Sequence, residues 1–258
     1  MNVQYTPAVE RDCDKQLDNK TRIKHELRLI KVGQKKPDGL IGSFMTRPVS
    51  HMAALFFKRL HFTPNMVTFL SFVLCVFACF ALLFFKINYG VYLFAVVLWW
   101  GGAILDAADG DLARYTGTGS AFGGWFDSYL DRLKEFIIFG TLSYMAFKGY
   151  GLTSWGNEFS TRYGSEQYLF LGFFSILSNV MSGWVTDTKK LFCGNERKVE
   201  VKLSERYCFG MVDTRDFFVI LSLLTGEFRI VLYIYGIVFP VVLAMQTGLF
   251  LKRYGSKK

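Results

Sequence analysis

The chain has 258 residues, 52% of them hydrophobic and 17% aromatic, with 30 Lys and Arg against 21 Asp and Glu for a net charge of +9. It is more apolar than an ordinary soluble domain and fits a single polytopic membrane domain. The positive balance is explained by membrane topology, as argued below, so no nucleic-acid partner is expected.

In chain order, residues 1–38 are polar and charged and show no apolar run after an early basic cluster. They are expected to form a polar cytosolic N-terminal arm without a secretory leader, helical over "NKTRIKHELRLIK". Residues 39–62, "GLIGSFMTRPVSHMAALFFKRLHF", interleave Leu40, Ile41, Phe44, Met52, Leu55 and Phe56 with Arg47, His51, Lys58 and Arg59. That mixture suits a juxtamembrane amphipathic helix lying in the interface and broken at Pro48. Thr63 and Pro64 then provide a cap and a first helical residue for the membrane domain, expected over 63–251.

A transmembrane helix needs about 20 mostly apolar residues. Five segments qualify, at 66–85, 89–105, 121–147, 167–185 and 231–251. A sixth, "FFVILSLLTGEF" at 217–228, crosses only with the turns that begin near Tyr207. The expected fold class is therefore an all-α integral membrane protein, a six-transmembrane-helix bundle preceded by the arm and the interfacial helix. Residues 252–258 form a basic cytosolic tail.

Cytosolic loops carry the excess of Lys and Arg. Residues 1–60 hold 12 basic residues, the connection 187–216 holds seven and the tail after Leu251 holds four; with Arg114, Arg132 and Lys134 in the acidic stretch at the cytosolic boundary, this leaves Lys86, Lys148, Arg162 and Arg229 for the opposite side. Both termini are thus expected in the cytosol, as an even number of spans requires. The five cysteines, Cys13, Cys75, Cys79, Cys193 and Cys208, are scattered and form no CxxC pair. They read as buried small residues or free thiols.

Between the second and third spans lies "DAADGDLARYTGTGSAFGGWFDSYLDRLKEF", residues 106–136. Asp106 and Asp109 are spaced i,i+3 and Asp127 and Asp131 i,i+4, so each pair shares a helix face. The stretch "GDLARYTGTGSAFGG" reads as a short loop that sets the two helices side by side and brings the pairs together. Four carboxylates converging near the cytosolic boundary repel unless cations neutralise them. Oxygen ligands of this kind suit two hard divalent cations, Mg²⁺ or Mn²⁺, and paired ions clamp displacement at phosphorus. Arg114 adds a bidentate fork for phosphate, and the loop glycines let backbone approach a ligand closely. An ion- or proton-coupled transporter also keeps carboxylates among its helices, yet it does not account for the Gly, Ala and Arg positions.

The joint spacing is Asp106, Asp109, Gly110, Ala113, Arg114, then eight residues, then Gly123, Asp127 and Asp131. It resembles, at every fixed position, the DxxDGxxAR…GxxxDxxxD signature of the CDP-alcohol phosphotransferase family. The resemblance implies a six-helix membrane bundle in which Asp106, Asp109 and Asp127 are metal ligands and Asp131 is both ligand and catalytic general base. It assigns Gly110, Ala113, Arg114 and Gly123 to binding of the CDP donor, and Asn65 and Thr68 of "PNMVT" to the same pocket. The implied reaction transfers a substituted phosphate from a CDP-linked donor, with CDP-diacylglycerol foremost, to a small alcohol or polyol phosphate, releasing CMP in phospholipid biosynthesis. A soluble CDP-alcohol such as CDP-inositol is the alternative donor.

The stretch "KPDGLIGSFMTRPVS…LHFTPNMVT" looks more like the branches handling inositol phosphates than the serine branch. A phosphorylated acceptor calls for basic residues near the metals, and among nine on the cytosolic side Arg132 and Arg215 are favoured. The lipid bilayer is the expected environment, and a homodimer is compatible with it. The connection 187–216 is long for a bundle and reads as a lid or a solvated linker.

Overall fold

A computed structural model describes residues 19–32, 46–150, 165–193 and 211–255 of the chain. Every regular element among them is helical. Helix α1 (Asn19–Val32) and helix α2 (Arg47–Arg59) precede the long helices α3 (Pro64–Phe84), α4 (Tyr89–Thr116), α5 (Ala121–Phe147) and α6 (Gln167–Cys193). Helix α7 (Met211–Thr225) is followed by α8 (Phe228–Tyr233), a π-helical turn (Ile234–Val238) and α9 (Phe239–Gly255) in one continuous run.

Helix α1 covers the stretch expected to be helical, but it is docked and not wholly solvated. Ile30 is buried, and Ile23 and Leu27 pack beside it against Ala54, Leu55 and Phe57 of α2 and Leu112 of α4. Lys58 Nζ donates to Glu26 Oε1 of α1 at 2.8 Å and to the Tyr115 hydroxyl of α4 at 3.0 Å. The remainder of the arm lies outside the described residues.

Helix α2 begins at Arg47, so Pro48 starts the helix in its first turn, where its missing N–H costs nothing, and does not break it. Residues 39–45 lie outside the described residues. One face buries Ser50, His51, Ala54, Leu55 and Phe57, while Met52 and Phe56 stay exposed on another. His61 takes a left-handed φ of 58° and reverses the chain. Thr63 then caps α3, its hydroxyl accepting from Met66 N at 3.4 Å, with Pro64 in the first turn.

Among the described residues, four helical runs are long and apolar enough to cross a membrane, at Pro64–Phe84, Tyr89–Thr116, Gln167–Val185 and Phe228–Met245. Two further spans expected from the sequence, at 121–147 and 217–228, fall on α5, which carries Asp127, Asp131, Arg132, Lys134 and Glu135, and on α7, which has 15 residues. Helix α6 runs on to Cys193 and α7 opens at Met211, so both ends of the expected 187–216 connection are helical. Residues 194–210 lie outside the described residues.

The helices meet in two apolar clusters. The larger joins Tyr92 and Trp99 of α4, Phe139 and Met145 of α5, Tyr168 of α6, Val219 and Leu223 of α7 and Phe228 of α8. Close helix approach is visible at Gly102, where an added Cβ would lie 2.6 Å from Cys75 Sγ and 3.2 Å from Ser71 O. Ser71 Oγ donates to Gly102 O there at 2.9 Å. Cys75 and Cys79 are buried free thiols in this seam, as read from their scatter.

The π turn has a local cause in Pro240, which cannot donate back to the preceding turn. Ser178 Oγ donates to the Tyr235 carbonyl at 2.9 Å, supporting the backbone at that turn. The smaller cluster joins α1 and α2 to Val67 of α3 and to Ala108 and Leu112 of α4. Along α4, Asp106 falls between the two clusters, and Asp109 and Asp111 lie between Ala108 and Leu112 of the smaller one.

Candidate active site

Asn88 Oδ1 caps α4 by accepting from Val91 N at 3.0 Å, and the helix then runs 28 residues without a break. At about 1.5 Å per residue that is roughly 42 Å, longer than a hydrocarbon core of about 30 Å. The expected loop from Gly110 to Gly124 is therefore mostly helix. Ala108 and Leu112 continue the buried stripe past Asp106, and the helix closes only at Gly117, in a left-handed conformation with φ 68°. Four residues, 117–120, connect α4 to α5. Ser120 caps α5, its Oγ accepting from Gly123 N at 2.9 Å. The connection is thus shorter and stiffer than the sequence implied, with the same outcome that the two acidic faces meet.

Asp106, Asp127 and Asp131 each offer a carboxylate oxygen within 4.8 Å of the others, a spacing that could hold a metal ion. Asp109 stands outside this trio. It is buried and lines a neighbouring cavity of about 260 Å³ together with Asp127. Asp109 Oδ2 and Asp127 Oδ1 are buried without a hydrogen-bond partner. Carboxylate oxygens left unsatisfied in a recess are suited to hard cations, so the donor set fits Mg²⁺ or Mn²⁺. The four aspartates converge as expected, divided between a three-residue cluster and the cavity beside it.

The same cavity is lined by Asn65, Thr68, Gly110, Ala113, Arg114 and Gly123, the six residues that the resemblance assigned to the donor. Two glycines are explained by what lies against them. A Cβ at 110 would come 3.2 Å from Arg114 Nη1, so the guanidinium lies across bare backbone. A Cβ at 123 would come 2.9 Å from Asn65 Oδ1, which is how α5 reaches α3. Beside Asn65, and sharing it, an apolar groove of about 550 Å³ runs between α3 and α5 over Phe62, Met66, Phe69, Leu70, Phe122 and Phe126.

The two arginines favoured for the acceptor meet at a residue that the sequence reading passed over. Glu135 is buried and accepts from Arg132 Nη1 at 2.6 Å and from Arg215 Nη1 at 2.7 Å. Arg215 also reaches Asp216 at 3.1 Å. Lys134, buried, hydrogen-bonds Asp106 and stands 2.7 Å from Asp131 Oδ1. Arg132 and Arg215 therefore adjoin the acidic cluster, as expected, with their charge already shared. Spacing could have revealed the partners, since Lys134 and Glu135 follow Asp131 by three and four residues and fall on its face. Asp111, the other buried acid of this region, sits between fixed positions of the pattern, and its i,i+3 spacing to Arg114 is the one local signal for it.

Residues 61–157 match the family model described as CDP-alcohol phosphatidyltransferase, a segment that contains the whole pattern from Asp106 to Asp131. The family resemblance read from that pattern holds over this segment. Among similar proteins is the "Bifunctional IPC transferase and DIPP synthase" of Aquifex aeolicus (strain VF5), 26% identical over 220 residues, which are 85% of this chain and 46% of that one. The "Archaetidylinositol phosphate synthase" of Pyrococcus horikoshii is 38% identical over 104 residues, 40% of this chain and 50% of that one. A protein of the same description from Aeropyrum pernix is 34% identical over 100 residues, 39% of this chain and 49% of that one. The chain spans about half the length of the curated relatives it matches.

Proposed function

We propose that the chain is an integral-membrane CDP-alcohol phosphotransferase that moves a phosphatidyl-type group from a lipid-linked CDP donor to a hydroxyl of inositol phosphate or a related polyol phosphate. The observation that carries this reading is the cavity between α3, α4 and α5. All six donor residues named from the sequence line it, and Asp127 links it to the acidic cluster. The apolar groove that shares Asn65 with the cavity favours a donor with hydrocarbon chains over a soluble CDP-alcohol. The descriptions of the archaeal relatives as archaetidylinositol phosphate synthases support an inositol phosphate acceptor.

In the proposed reaction the acceptor hydroxyl attacks the β-phosphorus of the donor, and its proton passes to the Asp131 carboxylate. A new P–O bond forms, the bond between the two phosphates breaks, and CMP departs with the electron pair. Arg114 meets the pyrophosphate, while Gly110, Ala113 and Gly123 leave room for the nucleotide. Asn65 and Thr68 form the α3 wall. Asp106, Asp109, Asp127 and Asp131 would hold divalent cations, which when bound neutralise charge on the attacked and departing phosphates. Arg132 and Arg215 hold the acceptor phosphate. Six spans, with the termini and the site on the cytosolic side, agree with the distribution of basic residues, and the exposed Met52 and Phe56 of α2 suit an interfacial helix.

The test is CMP release by the purified protein in lipid nanodiscs with Mg²⁺ and inositol phosphate. CDP-diacylglycerol and soluble CDP-inositol are compared as donors. The lipid donor is expected to be turned over and the soluble one not. Turnover of the soluble donor alone would reverse the donor assignment, and no CMP from either would refute the reaction.

A further inference from the structure

Arg114 does not reach the donor cavity as a freely rotating side chain. Its guanidinium lies over Gly110, and its Nη2 donates to Asp111 Oδ1 at 2.7 Å. The Asp111 side chain is completely buried. Its other contacts come from α2, outside the bundle. Arg47 Nη1 donates to Oδ1 at 3.1 Å, Ser50 Oγ donates to Oδ2 at 3.0 Å, and His51 Nε2 stands 3.6 Å from Oδ2. One carboxylate therefore joins the helix that flanks the bundle to the arginine that lines the cavity.

We propose that Asp111 is a positioning residue that fixes Arg114 for the donor pyrophosphate, and that the seating of α2 through Arg47 and Ser50 thereby sets donor affinity. The inference rests on the donor reading given above for the cavity. Three physical points support it. A long cationic side chain loses rotamer freedom when it binds a phosphate, and a buried carboxylate that already holds it has met that cost in the free protein. Arg47 and Arg114 share Asp111 Oδ1, so loss of Arg47 removes one of the two cations that compensate the buried charge and leaves Arg114 to hold that oxygen alone. The contact surface of α2 continues through Ala54, Leu55 and Phe57 onto Leu112, the residue next to Asp111, so helix seating and carboxylate geometry move together.

The experiment measures CDP binding by calorimetry, with Mg²⁺, on the full chain in nanodiscs, alongside separate KM values for donor and acceptor. Wild type is expected to bind CDP. Asp111→Ala is expected to weaken CDP binding about tenfold, the size of one charge-assisted hydrogen bond, and to raise donor KM alike while kcat and acceptor KM stay put. Asp111→Asn, which keeps an acceptor oxygen for Arg114, restores part of the affinity. Arg47→Met, which leaves Arg114 and Asp111 untouched, gives a smaller loss of the same kind and serves as the test if Asp111→Ala does not fold. Asp111→Ala combined with Arg114→Ala binds CDP no more weakly than Arg114→Ala alone. Unchanged CDP affinity in Asp111→Ala or in Arg47→Met, or losses that simply add in the double variant, would overturn this inference and leave the donor reading standing. Absence of CDP binding in wild type would overturn both.

Discussion

On the proposed donor side of the cleft, Asp109 and Asp127 each keep a buried oxygen without a hydrogen-bond partner, and glycines clear the approach to Asn65 and Arg114. On the opposite side Arg132 and Arg215 share Glu135, and Lys134 is tied to Asp106 and Asp131. One wall has acceptor atoms and space to spare, and the other has its charges matched within the fold. The difference separates two kinds of sensitivity. Changes on the first wall should alter ligand affinity and spare the folded state, because little there holds the helices together. Changes on the second should alter stability first, because its ion pairs join α4, α5 and α7.

The largest expected effect is on the first wall. Chelation of divalent ions should reduce CMP release to background, and added Mg²⁺ or Mn²⁺ should restore it; full activity in chelator would remove the cation role of the aspartates. Next, Asp131→Asn should lower kcat by about 10²- to 10⁴-fold, the range of a lost general base, with CDP binding retained in calorimetry. Glu135→Ala, on the second wall, should destabilise the fold by about 3–5 kcal/mol, because the buried Arg215 and the half-buried Arg132 lose the carboxylate they share. A thermal scan that shows no lower midpoint would break the contrast between the walls. Gly123→Ala should raise donor KM about tenfold, because the added methyl pushes the Asn65 amide from its place in the cavity, with only a small change in midpoint.

The smallest effect lies at α1. Burial works against the charge on Lys58, and the hydrogen bonds to Glu26 and Tyr115 more than offset it, holding the ammonium above the usual lysine value of 10.5. A raised folded value means that the pairing contributes fully below the unfolded lysine pKa and is lost as pH rises through the folded one. Hydrogen-exchange protection over residues 19–32, with the intrinsic pH dependence of exchange divided out, should therefore be steady through neutral pH and fall only in strong alkali. Loss of protection near pH 7 would show that this pair does not hold α1.

The fold and the acidic face were legible in the sequence for different reasons. Helices α3 and α4 announce themselves because bilayer-length apolar runs admit few other structures, and Thr63–Pro64 is a local start signal that needs no tertiary context. The aspartates were legible because spacing on two helices is a local property. The length of α4 was misread at Gly110, since "GDLARYT" has loop-like glycine and polar residues, and its helical state depends on packing of Leu112 against α2 that no local rule contains. For the same reason the contacts of Asp111 with α2 were invisible, although its i,i+3 spacing to Arg114 is local. Its importance comes from Arg47, 64 residues earlier. Glu135 occupies an intermediate place, readable from the helical wheel yet passed over, while Lys134 counts among the nine cytosolic basic residues without its pairing to Asp106 and Asp131 being visible.

The four-residue connection at 117–120 has one more consequence. With capped helices on either side and so little chain between them, the two acidic faces are locked in phase like the teeth of two gears. Each added residue inside α4 or α5 would turn one set by about 100° against the other. Substitutions can therefore tune this cleft, whereas a single-residue insertion between Asp109 and Thr116 would swing the aspartates out of mesh while leaving every one of them present.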